Sequence, residues 1–146
     1  MQSASKPPLL ARRRRAGLRP IVGLAIAGWA GGACATDLFV ICNVAVGLQA
    51  TDVRDAFIGD KGFVGTVKLA PADNSAAQPA FLDKVLKINA TKYAGVWTKK
   101  SFRDGINSPP LKSSDAEAVA YVRQTQGGCS YVVTPPGPGV AIVARF

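Results

Sequence analysis

The apolar residues of this chain recur with two periods, and the changes between them mark its elements. Leu38-Phe39-Val40-Ile41-Cys42 is an unbroken apolar run, the pattern of a strand buried on both faces, and it predicts a strand over 37–43. Val53, Ala56 and Phe57 then fall at i, i+3, i+4, which predicts a short helix over 51–58, with Thr51 as N-cap and Gly59 as its stop. Thr66–Ala70 reads as a second strand and Pro71–Asn74 as a polar loop. A helix capped by Ser75 follows to Ile88, burying Phe81, Leu82, Val85 and Leu86. Asn89-Ala90-Thr91 breaks it and starts another, whose stripe is Tyr93, Val96 and Trp97. Ser114 and Glu117 form a capping box for a last helix, which ends at Gly127-Gly128. Cys129–Val133 and Val140–Ala144 are strands flanking a Pro/Gly turn. The order β-α-β-α-α-α-β-β points to one α/β domain with a largely parallel sheet.

Charge alters this picture only at the N-terminus. The 146 residues carry a formal charge of +9, but residues 1–35 hold six of the 18 basic residues and no acid, leaving +3 on residues 36–146. That is an ordinary surface, and no nucleic-acid partner follows from it. Arg12–Arg15 and Arg19 precede an apolar stretch of about fifteen residues, short of the roughly twenty a membrane span needs. Ala33-Cys34-Ala35 then offers a small-x-small cleavage pattern. Residues 1–35 are therefore expected to be a signal peptide and 36–146 the mature domain, periplasmic or secreted. Four other readings fit less well. Gly23, Gly28, Gly31 and Gly32 weaken a retained anchor, and Gly31-Gly32-Ala33 lacks the aliphatic residue expected before a lipidated Cys34. Gly17 departs from a twin-arginine signal, and a disordered basic tail leaves the three-part pattern unexplained.

Cys42 and Cys129 remain in the mature part. In an exported chain two cysteines form one disulfide or serve as two small buried apolar residues, and both readings stand. Histidine is absent from the whole sequence, which removes the commonest general base and transition-metal ligand. Nine scattered acids, most at helix starts or in loops, suggest no acid/base pair; no S-x-x-K arrangement has a nucleophile context, and no Walker or dinucleotide pattern occurs. No cofactor and no enzymatic activity are expected; a small hydrolase is disfavoured on the same grounds. Lys99, Lys100 and Arg103 read as a solvated helix end, and Trp97 and Phe102 as core.

The remaining candidate is the segment Asp73-Asn74-Ser75. Ser75 with the N–H groups of Ala76 and Ala77 has the form of an oxyanion site at a helix start. The competing reading is that Asp73 or Ser75 simply caps the helix.

The order of motifs resembles the phosphate-binding, PstS-like periplasmic substrate-binding proteins, and more closely their small one-lobed exported relatives. The resemblance rests on Phe39-Val40-Ile41-Cys42-Asn43, Asp52-Val53-Arg54-Asp55-Ala56-Phe57-Ile58-Gly59, and Asp73-Asn74-Ser75 followed by Phe81. It continues through Trp97, Phe102-Arg103-Asp104-Gly105 with Pro109-Pro110, and Gly127-Gly128-Cys129-Ser130-Tyr131-Val132. It implies an α/β, single-lobe type 2 periplasmic-binding-protein-like three-layer sandwich with a mostly parallel sheet, and phosphate or another small oxyanion as ancestral ligand. Asp73, Ser75, Ala76 and Ala77 would be its contacts. In the family motif R-x-D-x-S-G-T only Asp73 and Ser75 are kept. Pro71, Ala76 and Ala77 stand for the arginine, glycine and threonine, and Gln78 stands where small relatives carry an arginine. One lobe without that cation loses the strongest class of phosphate contact. The alternative is therefore an adaptor for a membrane sensor, transporter or outer-membrane protein, with no small ligand.

Overall fold

The computed structural model describes residues 36–146; the expected signal segment, residues 1–35, lies outside the described residues. Twelve elements follow one another: β1 (Phe39–Cys42), α1 (Val53–Phe57, entered by a 3₁₀ turn at Ala50–Asp52), β2 (Phe63–Val64), β3 (Val67–Lys68), β4 (Ala70–Pro71), β5 (Asp73–Asn74), α2 (Gln78–Phe81, continuing as a π turn over Leu82–Leu86), α3 (Ala90–Asp104), β6 (Leu111–Lys112), α4 (Asp115–Gln124), β7 (Gly128–Val132) and β8 (Ala141–Arg145). Among the described residues, no helix is long and apolar enough to cross a membrane.

The main sheet has the order β4-β7-β1-β8. β1 runs antiparallel to both β7 and β8, and only β4 pairs parallel with β7. The sheet is thus mixed, and the expectation of a mostly parallel one is corrected. The reason is physical: an unbroken apolar run reports burial on two faces, not strand direction. Val40 and Cys42 point into a core shared with Phe57, Phe81 and Trp97, while Phe39 and Ile41 point into a second cluster with Ala118 and Val122 of α4. Helices therefore cover both faces of an antiparallel centre. Two small ladders complete the structure, β2–β3 antiparallel and β5–β6 parallel.

Several local expectations shift for identifiable reasons. Thr51 caps nothing, because a 3₁₀ turn from Ala50 leads into α1. Gly59 does end that helix, at φ +77°; a Cβ there would lie 2.8 Å from the Trp97 ring. The 75–88 segment starts its helix three residues late. Asn74 turns the chain first, its side-chain oxygen accepting from the Ala76 N–H and its carbonyl from the Ala77 N–H. Lys87, at φ +56°, closes the π turn in the left-handed region. The Ser114–Glu117 capping box forms, except that the Glu117 carboxylate reaches the Ser113 N–H rather than that of Ser114.

Cys42 and Cys129 face each other across β1 and β7 and are bonded, with Cα atoms 4.0 Å apart. Beside them Phe57, Phe81 and Tyr131 pack as an aromatic trio, Tyr131 stacked on Phe81 at 3.9 Å between ring centroids. Lys84 ties the two ends of the described chain together by donating to the carbonyls of Thr36 and Phe146.

Entry into β7 depends on Gly127. It sits at φ +79°, and a Cβ would come within 1.9 Å of the Lys68 carbonyl oxygen. The Gly127 carbonyl accepts from Ala70 N–H at 2.8 Å, so this contact holds β4 against β7. Gly127→Ala is expected to cost about 2 kcal/mol or more, through strain and loss of that pairing. A urea midpoint unchanged from the parent would contradict it.

Candidate functional site

The polar segment predicted as a loop is one of the most buried parts of the chain. Ala72, Asp73 and Asn74 are all buried, and β5 pairs Asp73 and Asn74 with Leu111 and Lys112 of the β6 strand that follows the proline pair. Burying polar side chains is costly unless they find partners, and each has found them. Asn74 Nδ2 donates to Asp115 Oδ1 at 2.6 Å and to the Tyr131 carbonyl at 3.0 Å. Asp115 also accepts from the Val133 and Thr134 N–H groups and the Thr134 hydroxyl. Burial alone would raise its pKa; the bonds from Thr134, Asn74 and Val133 outweigh that and hold the carboxyl below its ordinary value. Asp115 and Asn74 thus join α4, β5 and the end of β7.

Asp73 is the centre of a second network and is only 5% exposed. Its Oδ1 accepts from the Tyr131 hydroxyl at 2.9 Å and the Tyr93 hydroxyl at 3.0 Å, and its Oδ2 lies 3.1 Å from the latter. Burial pushes the carboxyl up to about 6, against the opposing effect of the Tyr131 and Tyr93 bonds. Burial, and then the Asp73 charge, in turn push both phenols far above their ordinary value, so both remain neutral donors. Among the described residues, no cation bonds to this carboxylate.

The network opens on one side. Asp73 and Tyr93 line a groove of about 510 Å³ that also takes in Gln78, Trp97, Phe102 and Leu111. Its lining contains one acid and no basic residue. The Trp97 indole N–H is buried without a hydrogen-bond acceptor of good geometry, although it is close enough to Tyr93 to act on that phenol's pKa. Phe102 is 88% exposed at the rim, which corrects its assignment to the core; it follows Trp97 by five residues and so leaves the buried face of α3. A second cavity of about 660 Å³ shares Trp97, Asn107, Ser108 and Pro109 with this groove.

Of the sequence-predicted contacts, only Asp73 reaches this groove. The Ser75 N–H donates to the Lys112 carbonyl, and the Ser75 hydroxyl to the Ser113 carbonyl. The Ala76 and Ala77 amides are held by Asn74, and Ala77 is fully buried. The donors expected to form an oxyanion site at Ser75, Ala76 and Ala77 thus each have an acceptor within the protein. The basic helix end is likewise engaged, Lys100 with Asp60 at 2.6 Å and Arg103 with its neighbour Asp104.

Sequence reasoning missed Tyr93 and Tyr131 as the partners of Asp73. A signal existed for Tyr131: two residues after Cys129 in a strand, it shares the face that carries the disulfide. Among the described residues, no cluster of three His, Cys, Asp or Glu side chains could hold a metal ion. No protein-family model matches this chain, and no curated protein matches it.

Proposed function

We propose that this chain is an exported, non-enzymatic interaction domain built like one lobe of a type 2 periplasmic binding protein, and that it no longer captures phosphate. The observation that carries this reading is the double occupation of the expected site. The Ser75, Ala76 and Ala77 donors are all bonded within the protein, and the adjoining groove offers an anion a buried carboxylate and no cation. An oxyanion there would meet like charge in a desolvated setting, which is unfavourable.

The lobe-like reading is supported by the sequence motifs and by the covering of the mixed sheet by helices on both faces. Export, by removal of residues 1–35, is supported by the three-part N-terminal pattern and by a disulfide, which persists in oxidising compartments. The partner would be a membrane sensor, transporter or outer-membrane protein, met through the face where Phe102 and Leu111 stand exposed beside the groove.

Calorimetric titration with phosphate tests the proposal. No saturable heat is expected up to about 10 mM, tenfold above a Kd of 1 mM. Saturable heat that Ser75→Ala abolishes would restore the oxyanion receptor and overturn the adaptor reading.

A further inference from the structure

Asp73 is a buried carboxylate whose solvation comes from two neutral hydroxyls. Such a group is stabilised further by a cation, and none of the residues lining its groove supplies one. The walls above it are aromatic: Tyr93 and Trp97 from α3, with Phe102 at the rim. Aromatic faces attract cations and accept the apolar stem of a long basic side chain.

From these observations we infer that the groove over Asp73 receives a lysine side chain of the partner polypeptide, its ammonium group on the carboxylate and its stem between Tyr93, Trp97 and Phe102. The inference rests on the interaction-domain reading and names the group recognised. Lysine fits better than arginine for a geometric reason. A guanidinium fork needs both carboxylate oxygens free in one plane, whereas Asp73 Oδ1 already accepts from two hydroxyls. A compact ammonium needs only one remaining lone pair, and Oδ2, whose single protein neighbour is the Tyr93 hydroxyl at 3.1 Å, has one. The titratable groups facing Asp73 are Tyr93 from α3 and Tyr131 from β7, both held neutral, so the carboxyl itself governs the pH response.

The test is a titration of the mature protein, followed by amide NMR shifts, with acetyl-Gly-Lys-Gly-amide. The same peptide carrying norleucine or arginine, and n-butylammonium, serve as comparisons. Saturable shifts at Trp97 and Phe102 are expected with the lysine peptide. Its affinity should fall at least tenfold for the norleucine peptide and for Asp73→Asn, and severalfold for Phe102→Ala. It should also fall about tenfold from pH 7.5 to pH 5, because a carboxyl titrating near 6 is mostly protonated at the lower value. Phe102→Ala alters an exposed side chain, and the pH arm uses the parent protein, so the test stands even if Asp73→Asn misfolds. Equal binding of norleucine, tighter binding of arginine, n-butylammonium binding as well as the peptide, or no saturation would each overturn the inference. Phosphate heat bears on the interaction reading alone, so silence with both phosphate and lysine peptide would reject only the lysine assignment.

Discussion

Reducing the Cys42–Cys129 bond is expected to lower stability by about 4–5 kcal/mol. The bond closes a loop between residues 87 apart in sequence, and the chain-entropy model assigns a loop of that length a stabilisation of this size. Single domains are stable by only about 5–15 kcal/mol, so the loss is about a third or more of the whole margin. The site makes the loss hard to offset. Cys42 and Cys129 lie at one cross-strand pair of the two most buried strands, next to Tyr131 and the Asp73 network. Urea unfolding with and without reductant, together with a Cys42→Ala/Cys129→Ala double variant, measures it. A loss below about 1 kcal/mol in both would show that the β1–β7 pairing holds without the bond.

The second large effect belongs to Asp73 and has an unusual sign. Its carboxyl titrates near 6 in the folded protein against an ordinary value of 3.8, so folding favours the protonated form. The stability this group contributes is fully present below about pH 3.8 and is lost as pH rises through about 6, a change of about 3 kcal/mol. The carboxyls held low, such as Asp115, act in the opposite direction as pH falls. The difference between parent and variant isolates the Asp73 contribution. Asp73→Asn keeps an oxygen for the Tyr93 and Tyr131 hydroxyls and removes the buried charge. It is expected to match the parent near pH 4 and to exceed it by up to about 3 kcal/mol near pH 7.5. A variant weakened equally at both pH values would mean that the carboxylate is needed for packing, and that no destabilising charge is buried there. A carboxylate buried at such a cost is a candidate functional group, and the cationic occupant is assigned from the groove's lining, one acid with Tyr93, Trp97 and Phe102 and no basic residue.

Much of the fold was legible because its strongest signals are local. The apolar run at Leu38–Cys42, the i, i+3, i+4 stripes of Val53–Phe57 and Tyr93–Trp97, and the Ser114 capping box each place an element near its observed position. Strand direction was not legible, since two-sided burial gives the same apolar run in either sense. The segment from Pro71 to Ala77 was misread for a different reason. Asp, Asn and Ser suggest a solvated loop, and nothing local reveals that Tyr93, Tyr131 and Asp115, from 20 to 58 residues away, would meet them inside. The oxyanion expectation turns on the same segment. It took the amides after Asn74 as free, whereas the Asn74 side chain and carbonyl had already claimed them.

Three amides decide between adaptor and phosphate receptor. The N–H groups of Ser75, Ala76 and Ala77 donate to Lys112 and Asn74 and so have no hydrogen left to donate to an outside anion. Amide NMR of the mature protein during a phosphate titration examines them one by one. The predicted result is that all three are slow to exchange with solvent and keep their shifts throughout. Saturable movement of these three resonances with phosphate, and loss of that movement in Ser75→Ala, would contradict it.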